Sequence, residues 1–266
     1  MDEIRDYYAR DREHDRLSHD LGAVEFVRTL DVLERVLPPA PAKVLDIGGG
    51  TGVYARELLK TGYSVHLLDA MPNHIERVQA DPLLAALESV TLGDARTLPY
   101  ADATTDAALL LGPLYHLTAD ADRAKVLAEA WRVLKPGGVL AAAIIPRAGA
   151  IAGDFKHGLD EEEYSRPIRE RVYLTGEYLN PENRPGFFTT AYFHHPGELE
   201  TELEAAGFSG VKLYALEGLA NLLADPILEL SDPVRRDGLL TALRLTENDP
   251  ALLGVSAHVL GVGIKS

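Results

Sequence analysis

The chain is 266 residues long, 46% hydrophobic and 25% charged, the balance expected of a globular protein in water. It has no cysteine, which excludes a disulfide framework, a thiolate zinc site, an iron–sulfur cluster and a cysteine nucleophile. Lys and Arg number 26 against 41 Asp and Glu, a formal net charge of −15 that repels phosphate backbones, so no nucleic-acid partner is expected.

The N-terminus, MDEIRDYYARDREHDRL, is charged throughout and lacks the apolar core of a signal peptide. No stretch reaches the ~18 consecutive apolar residues of a membrane span. A cytoplasmic protein with no membrane partner is expected. Residues 20–37, DLGAVEFVRTLDVLERVL, predict an amphipathic helix closed by PPAPA, and residues 1–42 together read as an N-terminal helical cap. From residue 44 a strand–helix rhythm sets in. Short apolar runs at 44–47, 64–69, 89–94, 106–112 and 138–145 each stop at Gly, Asp or Pro, and several are continuously apolar, as suits parallel strands covered on both faces. Between them, residues 53–61 predict a helix stopped by Gly62, and residues 120–134 one stopped by KPGG. Alternating strands and helices predict a doubly wound α/β sheet. The rhythm breaks after Pro146. Residues 147–193 carry acidic and aromatic stretches, a Pro167 interruption, the short basic run RPIRERV and a turn at NPENRPG, and read as an insertion. The core pattern resumes over 194–266 with a helix ending at Gly207, the strand VKLYAL, helical periodicity over 219–248 and a closing strand in VSAHVLGVGI.

The stretch VLDIGGGTG, residues 44–52, runs a strand into glycines at 48, 49, 50 and 52, which is costly in conformational entropy unless backbone must approach something closely. A phosphate-binding loop needs Lys followed by Ser or Thr after its last glycine, and Val53-Tyr54 stands there instead. A dinucleotide fingerprint needs glycine at 53 for close helix packing, and Val53 lacks it. What remains is D-x-G-x-G-x-G, Asp46 to Gly52, whose carboxylate repels a pyrophosphate and suits a cationic group. A second strand ends at Asp69, placed to accept hydrogen bonds from ribose hydroxyls. A ribose and a positive charge without a phosphate describe S-adenosylmethionine.

The motifs VLDIGGGTG, LLDAMP, GDARTLPYADATTDAALLLGPLYHL and EAWRVLKPGGVL, in this order over residues 43–145, resemble motifs one, two, four with its neighbours, and six of the class I S-adenosylmethionine-dependent methyltransferases, in their small-molecule branch. The resemblance implies a Rossmann-like doubly wound sheet of seven strands, the last antiparallel, with residues 43–146 as its cofactor-binding core and 147–193 as a lid. It implies that Gly48 and Gly50 admit the cofactor's amino-acid portion and that Asp46 orients this loop or meets the ammonium. It implies further that Asp69 binds the ribose, that Ala70 and Met71 line the adenine, and that Asp94 and Ala95 meet the adenine amine. Leu111 and Gly112 lie beneath the methionyl chain on the same ground. Taken singly, Asp69 also reads as a helix cap, Asp94 as a turn residue and Met71 as core filling.

At the end of the fourth strand LLGPLYHL carries no Asp or Asn of the kind that base-amine methyltransferases use, and no acidic ligand for magnesium. The expected metal complement is none. His116 is the candidate general base, with a packed loop histidine as the alternative, and Tyr115 is a wall residue. Tyr8 offers an aromatic face to the sulfonium, or else packs on the core beside Tyr7. Tyr173, Tyr178, Phe187, Phe188, Tyr192, His194 and His195 crowd the insertion as a lid over the acceptor would, with Tyr178, Tyr192 and His194 as candidate substrate contacts, although a small satellite core has the same composition. The function expected is methyl transfer to nitrogen or oxygen of a small-molecule methyl acceptor. A peptide or protein amine methyltransferase and a non-catalytic binder of the cofactor are the alternatives.

Overall fold

The structure, a computed structural model, describes residues 7–8, 16–156, 158, 162–180, 184 and 187–266. Nine strands are formed among them: β1 Lys43–Ile47, β2 Ser64–Asp69, β3 Ser89–Leu92, β4 Thr105–Leu110, β5 Leu134–Ile144, β6 Glu177–Tyr178, β7 Ala191–Tyr192, β8 Phe208–Ala215 and β9 Val259–Lys265. The helices are α1 Asp20–Val36, α2 Val53–Lys60, α3 Pro72–Ala80, α4 Asp120–Val133, α5 Arg147–Lys156, α6 Glu162–Thr175, α7 Pro196–Ala205, α8 Pro226–Ser231, α9 Pro233–Thr246 and α10 Pro250–Leu253. A seven-stranded sheet takes the order β3-β2-β1-β4-β5-β9-β8, mixed through its last strand, and β6 pairs with β7 as a separate antiparallel ribbon. This is the Rossmann-like α/β architecture expected. Among the described residues no helix is long and apolar enough to cross a membrane.

The chain forms two compact units. One comprises Leu33–Ala143, Glu200–Lys212 and Gly261–Ser266. Its core is built on β1 and β4, where Val44, Leu45, Ile47 and Ala107 to Leu110 have no exposed surface. Both faces of these parallel strands are covered, which is why the runs read as continuously apolar. Ala55 and Leu58 of α2, Ile75 and Val78 of α3, and Val126, Leu127, Ala130 and Val133 of α4 are buried with them. Each large aliphatic side chain so buried contributes roughly 1.5–3 kcal/mol. β1 pairs in parallel with β2 on one side and β4 on the other, so the strand order reverses beside β1, the place where open α/β sheets take ligands at the strands' carboxyl ends. Gly62 ends α2 at a φ of 90° and donates to Leu59 O over 3.1 Å, a backbone conformation that L side chains rarely adopt. Lys265 closes α4: its buried ammonium donates to the carbonyls of Trp131 and Leu134, both at 2.7 Å, and lies 3.8 Å from the Trp131 ring centroid.

The other unit comprises Met1–Val32, Ile144–Leu199 and Leu213–Leu260. Val172, Tyr178, Phe187, Ala191 and Phe193 form one of its cores, and Val24, Ala220, Leu239 and Leu243 another. Two local expectations change here. α6 runs through Pro167, which is exposed, so the proline forgoes one intrahelical bond without breaking the helix. The closing strand starts at Val259 and not at residue 255, because the preceding turn is drawn to a buried carboxylate: Glu217 accepts Ser256 Oγ at 2.9 Å and the His258 amide at 2.7 Å.

Candidate active site

The loop from Gly48 to Gly52 joins β1 to α2, and its glycines serve different ends. A Cβ at Gly48 would lie 2.6 Å from Pro113 Cγ, and one at Gly52 would lie 2.7 Å from Leu84 Cδ1. A Cβ at Gly49 would lie 2.7 Å from Asp46 Oδ2. At Gly50 the backbone is left-handed, with a φ of 56°, yet no atom stands within 4 Å of where a Cβ would be. Packing within the protein therefore explains three of the glycines, and the fourth opens onto space. The loop's amides are largely spent internally. Gly48 and Gly49 donate to Leu68 O at 2.7 and 3.2 Å, Gly50 to Asp69 Oδ2 at 2.8 Å and Gly52 to Gly49 O at 2.9 Å. A loop so engaged is not a phosphate cradle.

Two buried carboxylates flank this loop. Asp69, at the end of β2, accepts the Gly50 amide on Oδ2, and on Oδ1 it accepts the Met71 amide at 2.8 Å, with His74 Nδ1 at 3.1 Å. Asp46, on β1, is 1% exposed, and its Oδ2 has no hydrogen-bond partner. Burial, reinforced by the charge of Asp69, pushes the Asp46 carboxyl up to about 7. After β4 the chain turns through the short helix Pro113–His116, where Tyr115 is buried and its hydroxyl donates to Leu111 O at 3.3 Å. The Tyr115 and His116 rings meet edge to face at 4.7 Å. Nδ1 of His116 is out of reach of solvent, and burial lowers the imidazole to about 4 against a smaller opposing pull from Asp69.

Asp46, Gly48, Gly50, Asp69, Ala70, Met71, Leu111, Tyr115 and His116 thus come from the ends of β1, β2 and β4 and the segments that follow them. Met71 is buried, while Ala70 and Leu111 are half-buried. Asp94 is engaged in a turn after β3: it accepts the Arg96 amide at 2.9 Å and pairs with the Arg96 guanidinium at 2.6 Å, which holds its carboxyl below the usual range. Ala95, beside it, is half-buried. Sequence reasoning passed over three contributors. His74 stands five residues beyond Asp69 in the first turns of α3, Arg96 holds Asp94, and Gly49 clears the space that Asp46 fills. Only the spacing of His74 from Asp69 left a trace in the sequence.

The remaining candidates lie in the other unit. Tyr8 stacks edge to face on Tyr7 at 5.3 Å, and Tyr7 on Phe188 at 5.4 Å. Tyr178 belongs to the satellite core and accepts the Phe188 amide at 3.2 Å; burial pushes its phenol well above the usual range. His194 is fully buried and meets the half-buried Tyr192 ring edge to face at 4.7 Å. Buried Arg147 ties them together, donating to Phe193 O at 3.0 Å, Tyr192 Oη at 3.3 Å and Glu198 Oε1 at 2.7 Å. Elsewhere in this unit Glu217 Oε1 lies 2.8 Å, and Glu25 Oε2 3.4 Å, from His258 Nδ1.

Residues 45–142 match the methyltransferase-domain family. The chain is 33% identical over 186 residues to the ubiquinone/menaquinone biosynthesis C-methyltransferase UbiE of Roseobacter denitrificans, covering 56% of this chain and 73% of that protein. The chain belongs to the class I S-adenosylmethionine-dependent methyltransferases. It is also 31% identical over 145 residues to an uncharacterized methyltransferase of Mycobacterium tuberculosis, covering 54% of this chain and 56% of that protein, so the chain spans little more than half the length of this relative. The fold is shared, at 20% identity and a TM-score of 0.61 over 100% of both chains, with an S-adenosylmethionine-dependent methyltransferase from Thermotoga maritima.

The cofactor of this methyltransferase is S-adenosylmethionine, and the residues present suit it. The open side of Gly50 admits a close approach, the engaged amides offer little to a phosphate, and a buried carboxylate oxygen lacking a partner calls for a cation or a donor.

Proposed function

We propose that this methyltransferase acts in the cytoplasm on a nitrogen or oxygen of a small organic molecule. One observation carries the reading: the segment Leu111–His116 after β4 offers neither carboxylate nor amide side chain, only a buried tyrosine and a histidine held neutral. Such a lining suits a compact neutral acceptor and gives little to a cationic peptide. S-adenosylmethionine supplies the electrophilic methyl group when bound, and transfer to an oriented acceptor needs mainly proximity and alignment. In this reading Asp46 meets the donor's ammonium, Gly48 and Gly50 admit its amino-acid portion, and Asp69 takes the ribose. Ala70, Met71, Asp94 and Ala95 take the adenine. Tyr115 walls the acceptor, and His116 accepts a hydrogen bond from it, drawing off a proton only as the methyl group arrives.

The test is transfer of isotopically labelled methyl from the cofactor to pools of small amines, phenols, peptides and nucleic acid. Label in the amine or phenol fraction is expected. Label confined to peptide or nucleic acid overturns the proposal, and cofactor binding without transfer to any pool favours the non-catalytic alternative. The likeness to UbiE favours one second reading, methylation at carbon, which the position of the label in the product distinguishes.

A further inference from the structure

Asp46 presents a problem that the loop around it does not solve. Its Oδ2 is buried without a hydrogen bond, and the amides nearest in sequence are committed elsewhere. The neighbouring charge is Asp69, whose own carboxylate is held by the Gly50 and Met71 amides and by His74, with His116 facing it from the turn after β4. A second carboxylate beside a buried one opposes its ionisation, and hydrogen-bond donors favour it. Asp69 has the donors; Asp46 lacks one on Oδ2. Gly49 makes the arrangement obligatory, since any side chain there would run into Asp46 Oδ2.

We infer that Asp46 selects ligands by charge: an occupant must bring a cationic group to its Oδ2, and that group displaces the proton which the ligand-free protein keeps on the carboxyl. This rests on the assignment of Asp46 to the donor's ammonium. The carboxyl of the ligand-free protein, raised to about 7, is half protonated near neutrality. Binding of a ligand with an ammonium group then releases up to one proton per site, and affinity falls about tenfold per pH unit below about 7. A ligand with the same adenosine part but no ammonium releases none.

Calorimetric titration of the full chain tests this with S-adenosylhomocysteine and with 5′-methylthioadenosine, which lacks the amino-acid portion, in buffers of different ionisation enthalpy between pH 5.5 and 8.5. The expected result is proton release and pH-dependent affinity for S-adenosylhomocysteine and neither for 5′-methylthioadenosine. Because the second ligand shares the ribose and adenine, any titration of His74, His116 or Asp69 driven by those groups appears with both. In Asp46→Asn the release should vanish and S-adenosylhomocysteine affinity become flat with pH, while 5′-methylthioadenosine binds as in the natural chain and reports a folded site. Proton release that persists in Asp46→Asn, or that is equal for the two ligands, overturns the inference. If Asp46→Asn weakens S-adenosylhomocysteine without any release in the natural chain, the ammonium assignment stands and charge selection falls. If Asp46→Asn leaves S-adenosylhomocysteine unaffected at every pH, the ammonium assignment itself falls.

Discussion

Two buried groups of charged side chains distinguish the two units, and they are built on opposite principles. Around Glu217 the buried carboxylate oxygens find donors, although Arg28 Nε has no partner. The Glu217 oxygens take Ser256 Oγ, the His258 amide and His258 Nδ1, while Arg28 pairs with Asp31 and, at 2.6 Å, with Glu247, and Arg244 reaches Asp31 at 2.8 Å. Around Asp46 one carboxylate oxygen is left over. The first arrangement stabilises only as a set, since removing one member strands the others without solvation. The second holds back a polar atom whose satisfaction comes from outside the fold. Burial alone does not separate the two groups; whether every carboxylate oxygen has a donor does.

Each prediction probes that contrast. The largest effect is expected from Glu217→Ala, which leaves His258 and Ser256 without their shared acceptor and should cost about 3–5 kcal/mol of stability. Chemical denaturation measures it. S-adenosylhomocysteine affinity in the folded fraction should stay within about twofold, and a large affinity loss with intact stability would break the contrast. Next in size, His116→Ala should lower turnover by ~100-fold with cofactor affinity unchanged. Because His116 titrates near 4, turnover at saturating donor should not fall on its account between pH 8 and 5.5. A loss of thermal stability with turnover retained would make it a packing residue instead.

Asp69→Ala should weaken S-adenosylhomocysteine by roughly tenfold or more, as hydrogen bonds to a charged group are worth ~1.5–3 kcal/mol. It should also lower the melting temperature, because Gly50, Met71 and His74 lose an acceptor. The smallest effect sharpens the contrast most. Asp46 has a carboxyl raised from 3.8 to about 7, so its share of stability is complete below 3.8 and is lost as pH rises through 7. Asp46→Asn should therefore raise the melting temperature at pH 8 by about 2–4 °C or more, by less at pH 5, and change it little only below 3.8. His116, lowered from 6.5 to about 4, acts in the opposite sense: its share is present above 6.5 and is lost as pH falls through 4. A melting temperature lowered by Asp46→Asn at pH 8 would show that the carboxylate has a partner in the ligand-free protein.

Much of the fold was legible in the chain because its signals are local. Parallel strands buried on both faces read as unbroken apolar runs, and β1 and β2 end at the stops expected, before Gly48 and at Asp69. The helix stops at Gly62 and Gly207 follow from a left-handed backbone that glycine tolerates. The donor loop was legible for the same reason, since Asp46, the glycines and Asp69 keep their order and spacing along the chain. What escaped depends on atoms far apart in sequence. No pattern within residues 44–52 says that Pro113 and Leu84 press on Gly48 and Gly52 while Gly50 stays open. Nor does any motif bring Glu25 to Glu217 and His258, or Lys265 onto the end of α4. The aromatic residues of 147–193 show the limit plainly: their composition fits a lid and a satellite core equally, and only the packing places Tyr178 in a core with Phe187 and Phe193. Residue type and spacing determine which backbone conformations are accessible and which faces are apolar. Which polar atoms are left without a partner is decided only when distant segments meet, because a hydrogen bond depends on three-dimensional position and leaves no period in the sequence.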